Sequence, residues 1–309
     1  MSSVSPDRVR VEVDGRQLSL SNLDKVLYPK TGFTKSQVLD YYARIADVMV
    51  PHIKNRPTTL RRYPNGVAGT SFYEKHAPAN QPEWISTIDV PSKSGHEPIE
   101  YTVICDRPTL LWAANLAALE FHVPLWHVRK GKPVPAPPDY LVFDLDPGPG
   151  TSIAECCRVA GWIGAHLGRE MLFAKTSGSK GLQLYTPVHR TTWNRQSERA
   201  HEIAQFIERD HPDDVVATMR KSLRGGKVLI DWSQNSPSKS TVAAYSLRAR
   251  SHPTVSTPVT WREIDACAKS GDSNGLRFEA DDVVRRVDKY GDLMSALVVP
   301  KARAATATR

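Results

Sequence analysis

The sequence predicts a globular fold that mixes α-helices with β-strands, on the strength of three features. The first is an apolar run that ends in two acids and then breaks, Tyr140 to Gly150 (YLVFDLDPGPG). It has the length and composition of a strand, and Pro147, Gly148, Pro149 and Gly150 cut it off. The second is a pair of helix-start signals, Thr34 with Gln37 and Ser152 with Glu155, each followed by a helical stretch. The third is size: 309 residues with 40% hydrophobic side chains suffice for one large domain or two lobes around a sizeable core.

Composition narrows the partners. Lys and Arg total 41 against 33 acids, a net charge of +8, which favours a polyanion such as nucleic acid. The four cysteines, Cys105, Cys156, Cys157 and Cys267, form no C-x-x-C pair and no Cys/His ligand spacing. Reduced thiols follow rather than a zinc module, with Cys156 and Cys157 packing inside a helix. No stretch has the length and apolarity of a membrane span, the N-terminus lacks the apolar core of a secretion signal, and the cytoplasm is the default.

Taken in order, Val9, Val11 and Val13 alternate with charged residues before Asp14-Gly15, a half-buried strand entering a tight turn. Thr34 caps a helix over about 35–50, carried by Val38, Tyr41, Tyr42, Ile45, Val48 and Met49 at helical spacing. Lys25, Lys30 and Lys35 flank its start, where unpaired N–H groups attract anions. Two readings stand, a phosphate site and a set of solvated lysines. Short strands and turns fill Pro57 to Trp84, with Arg61, Arg62, Phe72, Tyr73 and Lys75 interleaving cations and aromatics. Such a surface stacks bases, while a Phe-Tyr pair is also ordinary core. Residues 91–98 read as an exposed loop, and Thr109 to His122 as a strongly apolar helix with His122 against the core.

Ser152 opens a helix through about Leu167, and Met171 to Thr176 is a strand. Ser177 to Gly181 (SGSKG) then forms a loop with Lys180 at its tip, before a second strand, LQLYTP. Its backbone amides can cradle phosphate, and a plain hairpin is the alternative; the spacing is not that of a P-loop. Helices follow at about 195–210, 260–268 and 281–290, and the terminal KARAATATR reads as a disordered tail over 301–309.

The chemistry concentrates in the acids. Asp144 and Asp146 leave one face of a strand side by side, where they repel unless a cation sits between them. Asp231 ends a second apolar strand, KVLIDW, as the one acid among Arg220, Lys221, Arg224, Lys227, Lys239, Arg248 and Arg250. Three carboxylates amid cations point to phosphate chemistry on a divalent metal.

With VFDLDPG, TSGSKG and VLIDWSQNS in this order, the chain closely resembles the polymerase domain of bacterial ATP-dependent DNA ligase D, in the archaeo-eukaryotic primase superfamily. DKVLYP, RPTTLRRYPNG, FYEK, ALEFHVP, KSLRGGK, YSLRAR and HPTV extend the similarity over about residues 20–260. The resemblance implies an α+β fold, a two-lobed primase catalytic core with an RRM-like antiparallel sheet. A single domain over 1–300 is expected, with its N-terminal and catalytic lobes intertwined. It also implies template-dependent primer extension that favours ribonucleotides, with two divalent ions, Mn2+ or Mg2+. The expected partners are gapped or end-containing DNA with a 5′-phosphate, NTP or dNTP, a repair ligase and an end-binding protein, in short-gap filling or end joining.

Residue roles follow from matching motif positions. Asp144, Asp146 and Asp231 become the metal-binding catalytic triad. Ser177, Lys180 and Arg248 contact the incoming nucleotide's phosphates, His122 lies near its sugar, and Gln234 helps fix it. Phe72 and Tyr73 stack on the template, Lys25 and Lys35 hold the 5′-phosphate, and Lys221 and Arg224 engage the primer terminus. One position departs from the pattern: relatives read SGSKGLH, whereas Gln183 stands here, an amide that hydrogen-bonds phosphate without a titratable charge. Neither a KxDG ligase motif nor a nuclease domain is found, Lys289 to Asp292 being a reversed look-alike, so a chain complete as given reads as a stand-alone polymerase and the same sequence as part of a larger protein reads as its polymerase domain. A manganese-dependent glycosyltransferase and a non-catalytic DNA-end binding module are the rival readings.

Overall fold

A computed structural model describes residues 8–92, 95 and 97–298. The terminal stretch 301–309, read above as a tail, lies outside the described residues, as do parts of the 91–98 loop. The chain begins with a hairpin, β1 (Arg8–Val13) and β2 (Arg16–Ser21), turned at Asp14-Gly15 as the alternation requires. The short pair β3 (Val26–Tyr28) and β4 (Phe33–Thr34) leads into α1 (Lys35–Ile53). Thr34 and Gln37 form the expected capping box, and Val38, Tyr41, Tyr42, Ile45 and Met49 are buried along one side of the helix.

Next come β5 (Thr59–Arg62), β6 (Phe72–Glu74), β7 (Thr87–Val90), β8 (Ile99–Thr102) and α2 (Arg107–Asn115). Here the expected helix through His122 is overturned. The helix stops at Asn115, Ala117 takes a positive φ of 59°, and β9 (Ala118–Pro124) follows. Most of β9 is buried on both faces, so its run of apolar residues carries no alternation to tell strand from helix. The remaining elements are β10 (Tyr140–Pro147), α3 (Ile153–Leu167), β11 (Phe173–Thr176), β12 (Leu182–Pro187), α4 (Trp193–Asp210), β13 (Val215–Val216), β14 (Val228–Asp231), β15 (Ser240–Val242), β16 (Pro258–Val259), α5 (Trp261–Ser270), α6 (Ala280–Tyr290) and α7 (Ser295–Val298). The second capping box, Ser152 with Glu155, opens α3, where Cys156 and Cys157 are buried as packing residues.

Two sheets organise these elements. One has six strands in the order β13-β14-β10-β12-β11-β16, antiparallel except for β13 with β14. Leu141, Phe143 and Leu145 of β10 pack with Ile153, Ile163, Ile203 and Ile207 of α3 and α4 in one apolar core. The other sheet runs β15-β9-β5-β6 and shares a second core with α1 and α2, to which Val142 and Tyr185 of the first sheet also belong. The α+β class is thus observed. The sheets are tied across their facing sides by a 3.1 Å hydrogen bond between the Tyr185 and Thr241 hydroxyls. Side chains of even number on β10 therefore look into the space between them. Among the described residues no helix is long and apolar enough to cross a membrane.

The turn after β10 meets the loop before β14. The Gly148 N–H donates to the Lys227 carbonyl at 2.9 Å, and a Cβ on Gly148 would lie 1.8 Å from the Arg224 carbonyl oxygen. Only a residue without a side chain lets these backbones approach so closely. Gly148→Ala is expected to cost about 1–3 kcal/mol of stability as the 220–227 loop is pushed away. Gly225→Ala, with nothing within 4 Å of the added methyl, is the control that leaves stability unchanged. Urea denaturation of both variants checks this, and equal midpoints would refute the close approach.

Candidate active site

Strand register brings the acids together. Asp144 sits directly opposite Asp231 on β14 and opposite Gln183 on β12, and Gln183 in turn sits opposite Lys175 on β11. Directly opposed residues share a face with Cβ atoms roughly 5 Å apart. Asp231, Asp144, Gln183 and Lys175 thus form one rung across four strands, and Asp146 follows two residues along β10 on the same face.

Crowding of negative charge shows in the carboxyl groups. Burial and then the neighbouring Asp146 and Asp231 push the Asp144 carboxyl well above the usual range, while Gln183 and Lys175 oppose this. Asp146 is raised as well, by burial and then by Asp231, against the pull of Arg224 and Arg248. Repulsion of this kind is what a divalent cation relieves. Asp231 is held in place by the turn that follows it. Its Oδ1 accepts from the Ser233 N–H and hydroxyl at 3.0 and 2.6 Å, and its Oδ2 accepts from Gln234 Nε2 at 2.9 Å.

Gln183 is buried, and its surroundings orient its amide. The Oε1 accepts from Lys175 Nζ and, at 3.1 Å, from the Tyr185 hydroxyl. The NH2 end is thereby left as the donor toward Asp144. Lys175, fully buried, also donates to the Ser256 hydroxyl at 2.7 Å. Loss of hydration pulls its ammonium pKa down, and Asp144 opposes that pull. The glutamine is therefore a neutral spacer between a buried cation and a half-buried acid.

A cavity of about 460 Å3 opens on this face, lined by Asp144, Asp146 and Gln183 but not by Asp231 or Lys175. His122, Asp144, Asp146, Ser177, Lys180, Gln183, Arg224, Gln234 and Arg248 all line it, together with Arg250. The SGSKG segment joins β11 to β12 as a tight turn, in which the Ser177 hydroxyl accepts from the Gly181 N–H at 3.0 Å. It lies directly on β10, for a Cβ on Gly181 would come within 2.4 Å of the Leu145 carbonyl oxygen. Arg248 Nη1 donates to the Ser177 carbonyl and fixes the turn from the other side. A larger cavity, about 940 Å3, lies against α1 and the Arg56–Asp139 ion pair and includes none of the acids of the rung.

The remaining predicted residues, Lys25, Lys35, Phe72, Tyr73 and Lys221, do not line this cavity. Phe72 and Tyr73 on β6 are 45% and 55% exposed, which removes the core reading. Arg62 and Arg61 sit 5.3 and 5.0 Å over their rings, and the Tyr73 ring meets His122 edge-on at 5.7 Å. Lys35 is buried, its Nζ 2.5 Å from the Ser21 carbonyl, while Lys25 Nζ reaches Asn65 Oδ1 at 3.1 Å. Burial, then Lys25 and then Arg62, bring the Lys35 pKa down to about 8, so three cations share this corner. Lys221 is exposed on the Lys221–Leu223 turn and does not line the cavity, whereas Arg224 from the same loop does.

The donor set fits a divalent ion of the hard class. Three carboxylates on one face supply oxygen ligands, the type that Mg2+ and Mn2+ take. Among the described residues no three acid, His or Cys side chains are already gathered as closely as bound ligands would be. Glu120 and Lys175 carry no role in the sequence reading, whereas Arg61 stands there only as one cation of a base-stacking surface. Glu120 had a usable signal, since it stands two residues from His122 and so shares its face once the segment is a strand.

Comparison with known proteins places this geometry. The profile of the LigD primase-polymerase domain matches residues 34–294. The multifunctional non-homologous end joining protein LigD of Mycolicibacterium smegmatis is 46% identical over 284 residues, covering 91% of this chain and 36% of that protein. The bifunctional LigD of Bacillus subtilis is 29% identical over 280 residues, 89% of this chain and 43% of that protein. The chain thus spans well under half the length of these relatives. Among solved structures, the polymerase domain of Mycobacterium tuberculosis ligase D in complex with DNA aligns with a TM-score of 0.84 at 44% identity, covering 91% of this chain and 98% of that one. On sequence and fold together, the chain belongs to the LigD primase-polymerase domain family.

Proposed function

We propose that the chain is a template-dependent nucleotidyltransferase that extends primers on gapped or broken DNA, adding ribonucleotides in preference to deoxyribonucleotides, in short-gap filling or end joining. The observation that carries this reading is the cross-strand pairing of Asp144 with Asp231, with Asp144 and Asp146 lining a cavity whose other walls supply Lys180, Arg224, Arg248 and Arg250. Acids on one side and cations on the other suit a nucleoside triphosphate. The end-joining proteins named among the relatives support the repair setting.

In this reading Asp144, Asp146 and Asp231 hold two divalent ions, Mn2+ or Mg2+, which supply activation of the primer 3′-hydroxyl and neutralisation of the leaving pyrophosphate. The chain's own groups do the rest. Ser177, Lys180 and Arg248 bind the triphosphate, with Gln234 beside them. Gln183 acts on Asp144 through its amide. His122 lies against the nucleotide sugar, and Phe72 and Tyr73 offer a stacking surface to the template base. Lys25 and Lys35 bind the 5′-phosphate across the gap, and Lys221 and Arg224 approach the primer end. A repair ligase and an end-binding protein complete the proposed setting, at the nucleoid.

Incorporation of a labelled ribonucleotide on a 5′-phosphorylated gapped duplex tests the reaction. Asp144→Ala and Asp146→Ala are each expected to lower it by on the order of a hundredfold or more, the scale of removing a preorganised electrostatic group. Their affinity for the gapped duplex, read by fluorescence anisotropy, stays unchanged. Incorporation that persists in either variant refutes the assignment, and metal-independent binding with no incorporation by the unaltered chain returns the reading to a DNA-end binding module.

Phosphate recognition has its own pH signature. A lysine with a pKa of about 8 is mostly protonated at pH 7 and mostly neutral at pH 9, whereas a terminal phosphate, with its second pKa near 6, is a dianion throughout. Preference for phosphorylated over unphosphorylated gaps is therefore expected to fall about tenfold from pH 7 to pH 9. Lys35→Arg, which stays charged, removes the pH dependence. A flat profile in the unaltered protein would discount Lys35.

A further inference from the structure

One buried acid has no part in the reaction as described. Glu120 is 1% exposed, yet two hydrogen-bonding groups and two guanidinium ion-pair partners surround its carboxylate. Its Oε2 lies 2.9 Å from His122 Nε2 and 3.5 Å from Arg61 Nη1. Its Oε1 lies 3.3 Å from Arg248 Nε and accepts the Ala249 N–H at 3.0 Å. Burial alone raises a carboxyl pKa, but His122, Arg248 and the Ala249 N–H hold Glu120 far below the usual range.

The three side chains it grips each belong to a functional surface. His122 and Arg248 line the same cavity as Asp144 and Asp146. Arg61, the cross-strand neighbour of Glu120 on β5, lies over the Tyr73 ring. Tyr73 in turn meets His122, which closes a ring of contacts around the acid. Among the described residues neither Nδ1 of His122 nor Nη2 of Arg248 has a hydrogen-bond partner in the protein, so these are the atoms left for a ligand. Two guanidiniums and an imidazole are drawn together only because one carboxylate lies among them.

We propose that Glu120 is a positioning residue that sets His122, Arg248 and Arg61 in one fixed arrangement, so that the contacts to the incoming nucleotide and the stacking platform form as a unit. The inference rests on the nucleotidyltransferase reading above. It deepens that reading by naming what aligns the nucleotide pocket, a group that touches neither the nucleotide nor the reacting atoms.

The test uses single-nucleotide incorporation on a 5′-phosphorylated gapped duplex with Mn2+, comparing ATP with dATP. Glu120→Gln keeps the shape and removes the charge. It is expected to raise the KM for ATP about tenfold or more with kcat within about threefold, because binding geometry is lost while the acids on β10 and β14 are untouched. Discrimination between ATP and dATP falls with it, and affinity for the gapped duplex does not. Combining Glu120→Gln with His122→Ala is expected to cost less than the sum of the two single changes, since both remove the same contact. Glu120→Asp retains charge at shorter reach and gives a smaller KM rise; should Glu120→Gln not fold, this variant decides. A folded Glu120→Gln, or failing that Glu120→Asp, with the KM and ATP selectivity of the unaltered protein overturns the inference alone, as does full additivity with His122→Ala. Absence of incorporation by the unaltered protein overturns the polymerase reading and the inference with it.

Discussion

Cross-strand pairing at the centre of the six-stranded sheet is the constraint on which the site depends. Asp144 has a partner on both sides, Asp231 on β14 and Gln183 on β12, so its position is set by two ladders of backbone hydrogen bonds. Where the pairing with β14 ends, the Asn235 side chain takes over. It accepts from the Val142 N–H at 2.9 Å and donates to the Val142 carbonyl at 2.8 Å, as a strand would. A one-residue slip of β10 would turn both acids into the apolar core beneath and bring Leu145 to the cavity, which makes any other register costly.

The same arrangement places several charges where water is scarce. Lys175 and Glu120 are both buried at the base of the site, one behind the acids and the other behind the cations. Each is joined to a cavity-lining side chain, Lys175 to Gln183 and Glu120 to His122 and Arg248. Charges of this kind are tolerated only when fully partnered, and full partnering holds the side chains in front of them in single conformations. The cavity walls are thus ordered from behind, by groups that do not line the cavity themselves.

What could be read from the sequence follows from how local the signals are. The spacing of Asp144 and Asp146, the isolation of Asp231 among basic residues, and the capping boxes at Thr34 and Ser152 depend on neighbours within a few positions, and each is found in the structure. The SGSKG turn between two strands was legible for the same reason. His122 was placed on a helix because β9 is covered on both faces and has no polar–apolar alternation, while the positive φ of Ala117 that separates it from α2 leaves no mark in residue type. Glu120 escaped notice because its partners, Arg61 and Arg248, come from distant parts of the chain and meet only through the sheet and the loop after β15. The motif alone assigns Gln183 to phosphate, and the orientation of its amide is set by Lys175 and Tyr185, one of which lies outside that motif on the neighbouring strand.

The turn that anchors Asp231 has a consequence for how that acid takes part. A carboxylate offers about four lone pairs over its two oxygens. Two on Oδ1 are engaged by Ser233 and one on Oδ2 by Gln234. One lone pair on Oδ2 is left, so Asp231 can bind a cation only in monodentate fashion unless the turn opens, while Asp144 and Asp146 remain free of such an intervening turn. A ligand sphere built on this sheet would be asymmetric from the outset, with one acid limited to a single contact by the turn that follows it.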